Sequence, residues 1–528
     1  MSRKKKRHSK ERKLPETAQR SLFSSVLDEN EPEEKGSHRE PLFKLGKTPD
    51  KIFIGDVSSS DYLKSLRLGW ISRLRTQIWE LDYSEFYSKY EGTGRQPFHP
   101  AVMMGLIMYG MLKRQWSLRE LENLARIDVG AWVMCGGMQP DHSTIGKFLI
   151  RHQDHLTEKF FIDSTKILAQ KLKLTGGEAA IDGTVIQAAA SGFRTVRAEA
   201  AKDQAKRARD HANESGGNAH VEARAEQAER AARIINERVN KSIAKGRDPK
   251  KVAIAPGEPE AVVQPQKNKT SRPSYKPSVH VRGPLITGQS VHPSSETAPI
   301  PDIVEQDRAI MNDAPAVTML DAGYFSFGVI NFFLERGDDV LIPSGKAGTN
   351  NVERKQREGK YFLKNRFKFD GERDVFICPA GQSLKRNHSG TDQSGNYVRY
   401  RGTTCAGCPL KSQCTKAKKG RTVKRYEGDD IKDAMIETLQ QPRAWEQYKH
   451  RSYLAERPFA ELKLRQGLQR FRRRNRSGAG LEFSLHCLAF NLGRVTGARG
   501  ASSFAIFWLS DPENRPILFF LVVWPNFA

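Results

Sequence analysis

The chain has 528 residues, enough for roughly two to four domains that each bury a core. Its 87 Lys and Arg residues exceed its 61 Asp and Glu residues, which gives a formal net charge of +26. This excess favours a polyanionic partner, nucleic acid first, although a merely solvated basic surface would give the same count. No apolar run could span a membrane and no apolar stretch follows the basic start, so we expect a cytoplasmic protein.

The N-terminal third predicts an arm followed by helices. Residues 1–55 are charged and poor in apolar side chains, which predicts a disordered basic arm. Residues 56–177 predict an all-helical domain, because their apolar stretches begin at Pro100, Ser117 and Asp141, residues that favour helix starts. This domain is either a DNA-binding module or a packing and dimerisation domain, and the sequence leaves both open.

Two predicted strands carry an acid near their ends. Residues 178–187, EAAIDGTVIQ, are the first predicted strand, and Asp182 interrupts their apolar run. The predicted strand at 316–321 ends at Asp321. A buried carboxylate is costly without a partner, and each Asp alone could cap a strand or form an ion pair. Two such acids also suit phosphodiester chemistry, in which carboxylates bridge two divalent ions.

The remaining segments predict two insertions and a tail. Residues 194–249 are rich in Ala, Arg, Glu and Lys and divide at NESGGN, which predicts a solvated helical hairpin. More strand is predicted at 279–291, a Cys-rich insertion at 375–425, and helix at 430–497. The apolar residues 498–528 either cover a subunit surface or come from a shifted or truncated reading frame.

A third acid is expected, because two carboxylates rarely suffice for two metal ions. Glu456 is the best candidate, within the basic stretch YKHRSYLAERPFAELKLRQGLQRFRRRNR at 448–476. Glu461 lies four residues from both Arg457 and Arg465, which instead predicts ion pairs on a helix surface.

The surroundings of Glu456 give two structural expectations. Lys463 follows Glu456 by seven residues, about two helical turns, so both should lie on one helix face, where Lys463 could contact a phosphate. Pro458 is compatible with a helix only if that helix starts close to it.

Together these stretches resemble the DDE transposases of bacterial insertion sequences, over roughly residues 60–497. AIDGTVIQAAAS, around Asp182, resembles the strand with the family's first Asp, and LDAGYFS, around Asp321, resembles the strand with its second. Further similar stretches are PSYKPS, QRFRRRN and LEFSLHCLAFNLGR.

The family's Glu motif is a Tyr, two residues, an Arg, three residues, the Glu, six residues and a Lys. Tyr448 and Arg451 match the first interval, and Glu456 and Lys463 match the last. The middle interval differs from the family's motif, because four residues and not three separate Arg451 from Glu456.

The resemblance implies an α/β (α+β) fold: an RNase H-like core with a mixed sheet at 178–193 and 250–497, preceded by the helical domain and interrupted by the hairpin. Asp182, Asp321 and Glu456 would be catalytic and would hold two Mg²⁺ or Mn²⁺ ions. The residues expected to contact DNA are Tyr448, Arg451, Lys463, Arg465, Arg470, Arg472, Arg473 and Arg474.

The implied activity is cut-and-paste transposition by a protein that is dimeric or larger on DNA and associated with the nucleoid. Cleavage at the terminal inverted repeats would free a 3′-hydroxyl that attacks target DNA. Two alternatives stay open: a catalytically inactive DNA-binding regulator, and a metal-dependent nuclease without strand transfer.

Four of the six cysteines cluster within the Cys-rich insertion. They could supply tetrahedral thiolate ligands to a structural Zn²⁺, with free buried thiols as the alternative. These residues are Cys378, Cys405, Cys408 and Cys414. Cys135 and Cys487 lie in apolar helical contexts and are predicted core residues.

Overall fold

A computed structural model describes five stretches of the chain, namely residues 42–90, 95–266, 269–345, 361–392 and 394–498. The predicted arm up to residue 41 and the tail beyond residue 498 lie outside the described residues. Helices combine with a mixed sheet, which confirms the coarse prediction of a mixed α and β fold. Within the described stretches, no helix is long and apolar enough to cross a membrane.

The N-terminal part is helical after two very short strands. Its elements are β1 (Phe53–Ile54), β2 (Val57–Ser58), α1 (Ser59–Ser65), α2 (Trp70–Trp79), α3 (Ser84–Tyr87), α4 (Pro100–Leu112), α5 (Leu118–Ile127), α6 (Val129–Cys135), α7 (His142–Arg151), α8 (Gln153–Thr157) and α9 (Lys159–Lys171). The predicted starts hold, because Pro100 opens α4, Ser117 caps α5 and Asp141 caps α7. The helical stretch that begins after Asp141 consists of three helices, with breaks at His152 and Glu158.

The middle of the chain forms the main sheet. Its elements are β3 (Glu178–Gly183), β4 (Ile186–Gln187), α10 (Ala198–Glu214), α11 (Ala219–Ala244), β5 (Val262–Pro265), β6 (Ser271–Arg282), β7 (Leu285–His292), α12 (Ile300–Met311), β8 (Val317–Met319), α13 (Phe327–Glu335) and β9 (Val340–Leu341). β3 pairs antiparallel with β6 and parallel with β8, which pairs parallel with β9. β6 pairs with β7 along one half and with β4 and β5 along the other.

The C-terminal part adds a second sheet and three long helices. Its elements are β10 (Lys368–Asp370), β11 (Val375–Ile377), β12 (Ser383–Asp392), β13 (Gly395–Gly402), α14 (Lys411–Cys414), β14 (Thr422–Tyr426), α15 (Asp429–Gln440), α16 (Pro442–Ala460) and α17 (Asn475–Thr496). β10 to β14 form a five-stranded antiparallel sheet in chain order. The sequence did not predict this sheet, because its strands are rich in Lys, Arg, Ser and Gly.

Two large cores hold the main sheet in place. The first contains most of α17, the β6 and β7 face and the N-terminal helices, so the helical part shares its core with the sheet. The second lies between β3, β8 and β9 and the helices α12, α13, α15 and α16. α16 therefore packs directly on the strand that bears Asp182.

The course of α16 corrects one expectation. The helix begins at Pro442, so Pro458 lies well inside it and the prediction of a nearby helix start is wrong. Proline has no N–H, which costs an interior helix one hydrogen bond. Here the α-helix ends two residues later, at Ala460, and continues as a π-helical turn at Glu461–Arg465.

Candidate active site

Asp182 and Asp321 lie at one edge of the main sheet. In the parallel pairing of β3 with β8, Ala180 is opposite Met319, and Asp182 and Asp321 each follow that pair by two residues. The carboxyl ends of parallel neighbours meet at the same edge of a sheet, which is where α/β proteins commonly bind ligands. The two predicted acids are therefore neighbours in space, and the negative charge of Asp321 acts on Asp182.

The carboxylate of Asp182 is largely withdrawn from solvent. Its side chain is 20% exposed, and the Nη2 atom of Arg451 lies 3.2 Å from its Oδ1 atom. Burial raises the pKa of Asp182 to about 6, and the nearby charges of Asp321 and Glu296 raise it further. Arg451 and the N–H of Gly183 act in the opposite direction and lower it. Burial and the two neighbouring acids thus outweigh the effect of Arg451 on this carboxylate, and a bound cation would offset them.

Asp321 is held by the backbone that follows it. It caps a short 3₁₀ turn at Ala322–Tyr324, where its Oδ1 atom accepts a hydrogen bond of 2.7 Å from the N–H of Gly323. Gly323 leaves room for this contact, since a Cβ atom there would lie 2.9 Å from the same oxygen. The local turn therefore fixes one carboxylate oxygen of Asp321.

Residues of α16 join the two strand ends. Tyr448 is buried, with 4% exposure, and its hydroxyl donates a hydrogen bond of 3.1 Å to the carbonyl of Leu320, next to Asp321. Burial raises the pKa of Tyr448 to about 12. Arg451, one turn later, pairs with Asp182. Both are also predicted to contact DNA, and in the structure both touch the acid-bearing strand ends.

Glu456 lies on α16, five residues after Arg451. It is exposed, and no ion pair or side-chain hydrogen bond within the described stretches involves it. Nowhere among the described residues do three His, Cys, Asp or Glu side chains form a group able to hold a metal ion. Asp182 and Asp321 fit a divalent cation as hard oxygen donors at a charged, half-buried edge. The geometry brings two of the three predicted ligands together.

Lys463 reaches the same edge from the π-helical turn. Its ammonium donates to the hydroxyl of Thr184 and, over 3.3 Å, to the carbonyl of Val185. Thr184 follows Asp182 by two residues, so this positive charge lies close to the candidate site. The shared α-helix face expected for Lys463 and Glu456 is absent, because the α-helix ends between them.

The expected surface pairs of Glu461 are replaced by a more buried one. Its Oε2 atom lies 2.8 Å from Nη2 of Arg494 on α17, and both side chains are mostly buried. Arg457 instead donates to the hydroxyl of Tyr453 over 2.8 Å. The π-helical turn directs Glu461 inward, which α-helical spacing did not predict.

The predicted DNA-contacting arginines between the π-helical turn and α17 have different surroundings. Arg470 donates to the carbonyls of Ala188 and Ala190, over 3.2 and 3.0 Å. Arg472 pairs with Glu120 at 2.6 Å. Arg465 and Arg474 are exposed, and neither forms an ion pair or side-chain hydrogen bond within the described part of the chain.

The sequence did not identify the residue that holds this basic segment in place. Glu482 on α17 is 2% exposed and accepts backbone N–H groups from Arg472 and Arg473, at 3.0 and 2.9 Å. Burial raises the pKa of Glu482 to about 7. Its signal in the sequence is an acid within the apolar run LEFSLHCLAF. Arg473 is partly buried beside it, and burial lowers the pKa of that guanidinium.

The four clustered cysteines line one small cavity of the second sheet's domain. They are Cys378, Cys405, Cys408 and Cys414, and all are free thiols. In the described residues they do not form a metal-holding group. Cys135 and Cys487 are fully buried, which confirms their prediction as core residues.

Two family models match the chain. A model described as "Transposase DDE domain" matches residues 377–496, and one described as "Transposase domain (DUF772)" matches residues 71–151. These matches support a DDE transposase of the insertion-sequence type. The first match includes Glu456 and begins after Asp182 and Asp321 in the sequence of this transposase. A search of curated proteins gave no match.

Proposed function

We propose that this transposase cleaves DNA at the ends of an insertion sequence and joins the freed end to target DNA. The meeting of Asp182 and Asp321 at one sheet edge carries the proposal. The mixed sheet supports an RNase H-like core around that edge, with Glu456 as the third acid. The family implies DNA as the partner, and the net charge of +26 agrees with a polyanion.

Divalent ions bound at such a site, Mg²⁺ or Mn²⁺, would polarise the phosphodiester and stabilise the charge that develops on its oxygens. Asp182 and Asp321 would hold them, together with Glu456. Arg451 neutralises Asp182 in the absence of an ion, and Tyr448 fixes the end of β8. These contacts pre-position the two acids.

The positive charges around the site have separate proposed roles. Lys463, held beside Thr184, would contact the phosphate that is attacked. Arg465 and Arg474 are free to bind phosphates independently of sequence. Recognition of the terminal inverted repeats would fall to the N-terminal helices, and assembly of two or more copies on DNA would bring both element ends together.

A joining assay tests this proposal. Purified protein, a labelled element-end duplex, a target plasmid and Mg²⁺ should yield both cleaved ends and joined products. Cleavage without joining would identify the nuclease alternative. The exposed position of Glu456 favours a second candidate, a DNA-binding regulator without catalysis, which would shift the duplex in a gel but yield neither product.

We also propose that the clustered cysteines hold a structural zinc ion. Four thiols that line one cavity match the usual donor set of a structural zinc site.

The purified protein is expected to contain about one zinc ion per chain, because a closed four-thiolate site retains its metal. Cys408→Ser should reduce the content to less than about a tenth, since three thiolates bind far more weakly. Elemental analysis after gel filtration measures both. Cys135→Ala, outside the cluster, is the control and should keep the metal. A zinc-free wild type with four reactive thiols would establish the free-thiol alternative.

A further inference from the structure

One aromatic side chain near the start of the hairpin insertion has no apolar cover. Phe193 lies in the loop between β4 and α10 and is 89% exposed, more than any other large apolar side chain among the described residues. A single exposed apolar residue is ordinary on a protein surface and does not by itself mark a binding site. Phe193 differs from such residues in the positive charges that surround it.

An arginine of the neighbouring strand lies against this ring. The guanidinium carbon of Arg272, on β6, is 4.9 Å from the centre of the Phe193 ring, within the range of a cation–π contact. Gly192 leaves room for the approach, because a Cβ atom at that position would lie 2.6 Å from Cδ of Arg272. The arginine therefore orients the ring while most of the ring surface stays exposed.

The loop that carries Phe193 is supported by the basic segment after the π-helical turn. Arg470 donates to the carbonyls of Ala188 and Ala190 in this loop, over 3.2 and 3.0 Å. A ring on a supported loop loses little conformational freedom when a partner binds to it, and this lowers the cost of binding.

Three arginines from separate parts of the chain supply positive charge around the ring. Arg194 is exposed beside Phe193, Arg272 lies against the ring, and Arg470 supports the loop. Within the described stretches neither Arg194 nor Arg272 forms an ion pair, so both charges are available to a polyanion. Exposed rings among cations are how proteins bind unpaired bases, because the base stacks on the ring and the phosphates lie near the cations. The charge favours nucleic acid over an apolar protein surface as the occupant.

We propose that Phe193 stacks on a base of the element-end DNA that is unpaired in the complex, with Arg194 and Arg272 near the adjacent phosphates. The inference rests on the proposed action at element ends. Arg272 lies seven residues along β6 from Val279, which is opposite Asp182, and seven residues of strand span about 23 Å. At about 3.4 Å per base pair, the stacked base would lie within about seven positions of the cleaved bond.

A gel-shift titration of the full-length protein with a labelled element-end duplex, at fixed salt, tests the proposal. Phe193→Ala should weaken binding by about 5–150-fold, which corresponds to the ~1–3 kcal/mol that stacking of a base on an aromatic ring contributes. Phe193→Trp keeps a ring and should bind within about twofold of wild type. Phe193→Leu keeps only apolar bulk and should bind like Phe193→Ala. The matched control is Phe53→Ala, at an exposed phenylalanine of β1, which should bind like wild type.

Duplexes that lack a single base identify the contact. An abasic residue is placed in turn at each of about eight positions next to the cleaved bond, on either strand. At one position Phe193→Ala should bind as tightly as wild type, because there is no base for Phe193 to stack on. Loss by the same factor on every duplex, or wild-type affinity of Phe193→Leu, would overturn the proposal.

The same experiments separate this proposal from the proposed function. If wild type binds and cleaves element ends and Phe193→Ala binds them equally well, only the role of Phe193 fails. If wild type does not bind element-end DNA at all, the proposed function fails and the role of Phe193 fails with it.

Discussion

Asp182→Asn is expected to lower Mg²⁺-dependent cleavage of element-end DNA by about 10³-fold or more. The amide keeps the shape of the side chain but loses the charge that holds a cation at the sheet edge. Metal ions contribute several kcal/mol to transition-state stabilisation, and about 4 kcal/mol corresponds to roughly 10³ in rate. Single-turnover cleavage of a labelled duplex measures the rate, and a gel-shift titration at fixed salt measures affinity.

DNA affinity should stay within about twofold, because Asp182 lies at a half-buried edge and phosphate contacts come from the basic side chains. Asp203→Asn, an exposed acid on α10, is the matched control and should cleave like wild type. An Asp182→Asn enzyme with full activity and unchanged binding would contradict the active-site proposal. Parallel loss of activity in Glu456→Gln would support Glu456 as the third acid.

The sequence indicated that the two Asp residues act together, but it did not indicate which side chains contact them. An acid near each predicted strand end was visible in the residue pattern, and parallel pairing of β3 with β8 brings the two together. The contacts from Arg451 and Tyr448 depend on how α16 docks against β3 and β8. The way a helix packs on a sheet depends on residues that are far apart in the chain, and the spacing of residues within a motif does not predict it.

Predictions from local sequence rules were correct for features that depend on neighbouring residues. They were wrong for features that depend on tertiary packing. Helix starts at Pro100, Ser117 and Asp141 follow from capping chemistry. The five-stranded sheet had no clear alternation, because few of its side chains enter a core. The π-helical turn after α16 broke the assumed periodicity and so changed the direction of Glu461 and Lys463.

The largest expected loss of stability comes from removing Arg282, which supports the start of the strand that bears Asp182. Arg282 ends β6 opposite Ala179 of β3 and is 2% exposed. Its guanidinium donates to the carbonyls of Gly176 and Ala314, over 2.8 and 2.9 Å. It also lies 3.3 Å from the fully buried carboxylate of Asp307.

Arg282→Met should lower the free energy of unfolding by about 3–5 kcal/mol, because it leaves the buried charge of Asp307 without this partner and removes the hydrogen bonds to two part-buried carbonyls. Urea denaturation followed by circular dichroism measures the change. Arg373→Met, which removes an exposed pair with Asp370 at 3.8 Å, is the control and should cost less than about 1 kcal/mol. A loss below about 1 kcal/mol in Arg282→Met would show that the pair is dispensable.

Adding Asp307→Asn to Arg282→Met should recover part of the loss, because the buried negative charge goes with its partner. If Arg282 acts only through the backbone carbonyls, the double variant will be no more stable than the single one. Either result bears on function, because Arg282 and Asp182 lie on paired strands. The register of β3 against β6 places Asp182 opposite Val279. Loss of that register would separate Asp182 from Asp321.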